Sequence, residues 1–184
     1  MVRQRTLWIV QTAVFIALLV TVQIFTHQFG QFVTGSSVNF ILVMVCILIG
    51  VSSGVTVGAV SPIIAFMITG RPVFPVLIPF VMVGNAALVI AVHFIFARSY
   101  ARTWEFSYVR TALAVVAGSV FKFLVLWVGV VQVALAFLIP GIMPPQVEAL
   151  SHMFFWPQLV TALIGSTLAM AIAPRMVKAI RGAG

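Results

Sequence analysis

VNFILVMVCILIGVSSGVTVGAVSPIIAFMIT, residues 38 to 69, is the stretch on which the fold turns. It carries no charge. As one helix it would run about 48 Å at 1.5 Å per residue, far beyond a hydrocarbon core of about 30 Å. Gly50, Ser52, Ser53 and Gly54 interrupt it near the middle. Glycine and serine clustered between apolar runs mark a turn. The stretch therefore reads as two short helices, Val38–Val51 and Val55–Thr69, back to back. Neither is comfortably long for a span, so they are expected to tilt little or to sit partly inside a bundle.

Outward from that hinge the pattern repeats. Leu7–Thr26 is an apolar span preceded by Arg3 and Arg5. It is too long for a secretory h-region and no small-residue cleavage site follows, so it reads as a retained helix. Gly70, Arg71, Pro72 and Pro75 form the next break, followed by a span over Val76–Ala97. Arg98–Arg110 is polar and reads as a loop. Thr111–Leu138 is a long, tilted span. Pro140–His152, with three prolines and Glu148, reads as a loop, and Phe154–Ala173 is the last span, ending at Pro174. The expectation is an all-α membrane protein, a six-transmembrane-helix bundle forming one domain over residues 1–184. Composition agrees: 63% of residues are hydrophobic, 7% are charged and mean hydropathy is +1.25. Soluble domains carry about 25% charged residues, so this chain needs lipid as its solvent.

Charge sets the expected orientation. With six spans, Arg3, Arg5, Arg98, Arg102, Arg110, Arg175, Lys178 and Arg181 fall on one side, eight of the ten basic residues. Cytoplasmic loops collect lysine and arginine, so both termini are expected in the cytoplasm. Arg71 alone falls outside, and Lys122 lies within a span. Without the break in the 38–69 stretch, five spans would put the two charged ends on opposite sides. The net charge of +8 thus reads as a topology signal, and no nucleic-acid partner is expected.

Several chemistries are not expected. There is no G-x-x-x-x-G-K-[ST] loop for ATP. The only acidic residues, Glu105 and Glu148, are placed in loops, so no helix offers a carboxylate for ion coupling, acid–base catalysis or a metal. His27, His93 and His152 sit near different span ends and do not easily share a metal. Cys46 is alone in an apolar run and reads as packing. Ser119 and His93 lie at similar depth, but no nucleophile motif surrounds Ser119.

The polar residues inside the spans are more informative. Lys122 is in the fifth span, about 18 Å beyond Arg110 by helical rise. Snorkelling or carbonyl contacts would explain it; so would a cation awaiting an anionic ligand. At similar outer depth lie Gln23, His27, Asn39, Asn85, Gln158 and Thr161, with Trp127 and Trp156 as flat stacking partners. Together with Lys122 these are the candidate substrate-binding residues. Each has a plainer role available, as a helix–helix hydrogen bond or an interfacial anchor. Small residues four apart form stripes: Ala13 and Ala17; Gly50, Gly54 and Gly58; Ala114 and Gly118, in line with Lys122; Gly165, Ala169 and Ala173. Such stripes permit close helix approach. Most read as internal packing, while Ala13 and Ala17 are a candidate docking face.

With six helices, cytoplasmic ends, no nucleotide site and Ala13-x-x-x-Ala17 within QTAVFIAL, the chain resembles the S components of energy-coupling factor (ECF) transporters. The broken second and third helices and the segment PQLVTALIG, residues 157–165, look like that family too. The resemblance implies a non-enzymatic, multi-pass subunit of a prokaryotic cell membrane. It would capture a vitamin or related micronutrient from outside, an anionic one such as pantothenate being compatible with Lys122. It would dock through the alanine motif on a membrane T subunit coupled to two ATPases, and would hold no cofactor of its own. The rival reading is a small polytopic membrane enzyme or assembly factor, using Ser119 or the basic inner loop.

Overall fold

The computed structural model describes residues 2–70 and 72–182, with side chains for 3–70 and 72–179. Arg71, the side chain of Arg181 and Gly184 lie outside the described residues. About 90% of the chain is helical, and no strand occurs among the described residues. In order the helices are α1 (Val2–Thr26), α2 (Gly30–Leu48), α3 (Val51–Thr69), α4 (Ile78–Val92), α5 (Arg98–Thr103), α6 (Tyr108–Leu126), α7 (Pro144–Met153) and α8 (Trp156–Gly182). A wide, π-type winding over His93–Ala97 joins α4 to α5, and another extends α6 over Trp127–Leu138. Five helical runs are long and apolar enough to cross a membrane: 3–48, 51–69, 75–103, 108–138 and 144–179. Their exposed faces are lined by apolar side chains such as Ile9, Val14, Phe25, Phe94, Leu113 and Leu168. This is a membrane-spanning protein.

The break in the 38–69 stretch is real and very tight. The N–H groups of Ile49 and Gly50 both reach Val45 O, at 2.9 and 3.1 Å. Gly50 then takes φ 135°, a conformation open to glycine because it has no Cβ. The turn therefore sits at Gly50 rather than at Ser52–Ser53, and the serines begin α3. The flanking helices are not short: α2 and α3 have 19 residues each, about 28 Å of rise, which matches the hydrocarbon core.

Four other boundaries differ from expectation, one of them at Pro174, which does not end the last span: α8 runs through it to Gly182. α2 starts at Gly30, well before Val38, because residues 30–37 continue its helical face. The polar segment 98–110 is not all loop: helix continues through Thr103, and Trp104 closes it with φ 58° and an N–H bonded to Tyr100 O. Within Pro140–His152, residues 144 onward are helix, started by prolines at its first positions, where a missing N–H costs nothing.

Side-chain contacts fix the helix directions. Thr12 meets Ser53 at 2.8 Å and Gln23 meets Ser61 at 3.1 Å, so α1 and α3 run parallel. Gly54 lies against Cys46 and Gly58 against Leu42, so α2 and α3 are antiparallel. Gly54 also meets Val89 and Gly58 meets Asn85, which makes α4 antiparallel to α3; Gly84 with Leu126, and Gly118 with Leu88, do the same for α6 and α4. Gly35 lies against Thr161 and Gly165 against Asn39, so α2 and α8 are parallel. α2 is the central helix. Ile41 to Cys46 are buried without a gap, as happens when neighbours cover a helix on every side. Around it α1, α3, α4 and α8 all make contact.

The main core, including Leu42, Val45, Val89, Val92, Phe96, Met170 and Ala173, occupies the end of the bundle that holds Ile49, Tyr100 and Val177. Tyr100 Oη donates there to Pro174 O at 3.3 Å, and Trp8 Nε1 to Ser52 Oγ at 3.1 Å. Arg3, Arg5, Arg98, Arg102, Arg110, Arg175 and Lys178 project at this basic end. A second core, including Leu77, Leu126, Val130, Leu135, Leu150 and Phe154, fills the opposite end.

Candidate functional site

Lys122 is 4% exposed. Its Nζ donates to Asn39 Oδ1 at 2.5 Å and to Asn85 Oδ1 at 2.7 Å. The ammonium does not snorkel; α2 and α4 each supply one amide oxygen to it at mid-height. An ammonium has three donors, and these two bonds leave one.

Glycines hold both asparagines in place. Asn85 Nδ2 donates to Gly58 O at 2.9 Å, and a Cβ on Gly58 would stand 3.1 Å from Asn85 Cβ. A Cβ on Gly165 would stand 2.7 Å from Asn39 Cβ and 2.7 Å from Phe40 N. The close approaches α3–α4 and α2–α8 thus carry the two amide oxygens to the lysine. Ala169 and Ala173 continue the packed stripe on α8, both fully buried. Ala114 and Gly118 are buried beside Lys122 on α6.

A cavity of about 190 Å³ lies against this cluster. Lys122, Asn39, Asn85, Gln23, His27 and Gln158 line it, six of the nine substrate-binding candidates. Gln23 and Asn39 are buried; His27 and Gly30 are exposed, so the cavity reaches the surface at the end away from the basic residues. Several buried polar atoms facing this region have no partner: Gln23 Oε1, Asn39 Nδ2 and Thr34 Oγ1. Buried polar groups are normally bonded, and these unpaired donors and acceptors are gathered around one cavity.

Three candidates lie outside this cavity. Trp156 is exposed and packs on Phe32, ring centroids 5.5 Å apart. Trp127 is half-buried where the wide winding begins. Thr161 is buried against Gly35, its hydroxyl bonded to Gln158 O at 3.1 Å. None of the three lines the cavity. The lining instead gains Gln31, Thr34 and Ser61. Within α2 the spacing Gln31, Thr34, Val38 is one helical face, and that signal was available once α2 was extended back to Gly30.

The remaining groups stand apart from the cavity. Ser119 Oγ is buried with no hydrogen bond, so no bond joins it to His93. Cys46 is 2% exposed, its thiol donating to Val89 O at 3.5 Å. Ala13 and Ala17 are both exposed on the outer face of α1, while Thr12 and Leu19 point inward. Among the described residues no group of three His, Cys, Asp or Glu side chains forms a metal site. No family model, curated protein or solved structure matches this chain.

Proposed function

We propose that the chain is a substrate-binding membrane subunit, an S component of an ECF-type importer in a prokaryotic cell membrane. In this reading it crosses the membrane six times with its basic end in the cytoplasm, and takes a small anionic micronutrient from the outer face. The observation that carries it is the Lys122–Asn39–Asn85 cluster, a buried cation at the wall of a cavity with unpaired polar atoms. Net positive charge in a low-dielectric cavity is best balanced by an anion. A cavity near 190 Å³ exceeds the roughly 150 Å³ that accepts a benzene ring, which suits a compact carboxylate or phosphate such as pantothenate. The alternation of helix directions supports six crossings, since α1 runs parallel to α3 and antiparallel to α2.

The exposed Ala13 and Ala17 pair supports docking on a T subunit, which with two ATPases would supply the energy. The deciding experiment is purification of the chain in mild detergent followed by small-molecule mass spectrometry of the denatured sample. A stoichiometric anionic metabolite is expected, absent from a Lys122→Met preparation. A chain that is empty after growth in rich medium, and that binds no carboxylate or phosphate vitamin on titration, would end this reading.

A further inference from the structure

A second, larger groove of about 850 Å³ lies at the basic end, between the start of α6 and the second half of α8. Its wall is apolar over most of its length, through Val115, Val116, Leu163 and Met170. Arg175 and Lys178 line its foot, and both are exposed. From Leu163 to Lys178 the groove follows α8 for about 22 Å by helical rise. The surrounding surface is lipid-facing: Leu113, Leu168 and Ile172 are exposed beside it. Glu105 is the one acidic residue at this end, so the groove is strongly cationic where it meets the interface.

We propose that this groove is a binding site for an anionic phospholipid, with an acyl chain along the apolar wall and the phosphate against Arg175 and Lys178. The shape and the charge both require an amphiphile: an apolar trough one leaflet deep, ending in two cations three residues apart on one helix face. Basic pockets between membrane helices recognise anionic headgroups, each Lys or Arg adding to the attraction. A soluble anion would use the cations and leave the trough empty. The site is separate from the Lys122 cavity, and the inference rests only on the membrane-spanning character of the chain.

The test uses the full chain in neutral detergent, titrated with phosphatidylglycerol or with phosphatidylcholine of identical acyl chains and read by native mass spectrometry. Phosphatidylglycerol is expected to be held at least tenfold more tightly. The double variant Arg175→Gln/Lys178→Gln is expected to weaken it roughly thirtyfold, from the loss of two interfacial charges. Arg3→Gln/Arg5→Gln, an equal loss of charge elsewhere at the same end, is expected to leave it unchanged. Ala171→Phe, which fills the groove and keeps both cations, is expected to abolish retention, its fold checked by an unchanged melt in lipid-free detergent. Equal retention of the two lipids, or retention of phosphatidylglycerol by Ala171→Phe, would overturn the proposal. So would its displacement by equimolar inorganic phosphate, or recovery of a peptide in its place.

Discussion

Lys122 bears two roles that a single substitution confounds. Its ammonium satisfies Asn39 Oδ1 and Asn85 Oδ1, and in the proposed function it also supplies the charge for an anionic ligand. Lys122→Met removes the cost of a buried cation but strands two buried amide oxygens, each costing about 1–3 kcal/mol. The single variant is therefore expected to melt lower than wild type without ligand. Replacing the whole cluster, Lys122→Met with Asn39→Leu and Asn85→Leu, leaves nothing stranded at Lys122. It is expected to recover part of that loss, since apolar replacement of a buried polar group is often neutral or better, while Gly58 O, whose helical donor position is Pro62, loses its bond from Asn85 Nδ2. Ligand affinity behaves differently. A charge-assisted hydrogen bond is worth about 1.5–3 kcal/mol, so both variants should bind the co-purifying anion about tenfold to a hundredfold more weakly. Thermal melts and ligand titration in the same detergent separate the two. If the triple variant bound as wild type does, the cluster would be purely structural. The lysine and both asparagines were visible in the sequence as polar residues within apolar spans. Their mutual bonding was not, because it depends on a three-helix crossing that no local pattern encodes.

At the level of helices, two small-residue stripes with the same spacing have opposite fates. Gly165 faces Ser36, Asn39 and Phe40 across the α2–α8 contact, whereas Ala13 and Ala17 face outward. Spacing alone marks both as sites of close approach and does not say whether the partner is inside the chain. Burial separates them. Gly165→Leu forces a side chain into a packed contact, where overpacking costs about 1–3 kcal/mol, and it shifts Asn39. A lower melting temperature and weaker binding of the co-purified anion are both expected. Ala13→Trp meets no neighbour within the chain, so melting and binding should hold while uptake by cells is lost. Loss of binding in Ala13→Trp would show that the face is not a docking surface. The break at Gly50 was legible because glycine and serine punctuate an otherwise apolar run. The first turns of α2 were not, because Gln31 and Thr34 line the cavity and lower the local hydropathy just where the helix begins. α7 was obscured in a similar way, its opening prolines reading as loop when they mark a helix start.

Across the whole molecule, the number of crossings decides which end of the cavity faces the outside. By length and composition there are five apolar runs, the first of 46 residues. That run would be about 69 Å if straight, roughly twice the hydrocarbon thickness. It does not stay straight: a tight turn over His27–Phe29 and Gly30 at φ 83° reverse it, so that α1 packs along α3 and α2 returns beside it. The two counts differ in parity. With six crossings Gln4 and Glu105 share a side and Glu148 is opposite; with five, Gln4 and Glu148 share a side and Glu105 is opposite. All three residues are exposed, and the one native thiol, Cys46, is buried, giving a silent background. Gln4→Cys, Glu105→Cys and Glu148→Cys, each alone, can be treated in intact cells with a membrane-impermeant maleimide and again after permeabilisation. Lysines and arginines concentrate on the cytoplasmic side, and Arg3, Arg5, Arg98, Arg102 and Arg110 flank the first two positions. The expected result is labelling of Glu148→Cys in intact cells, and of Gln4→Cys and Glu105→Cys only after permeabilisation. Joint labelling of Gln4→Cys and Glu148→Cys would establish five crossings. Labelling of Glu105→Cys alone would do the same with the orientation reversed. Either outcome would separate the two charged ends and remove the charge asymmetry on which an outward-facing cavity depends.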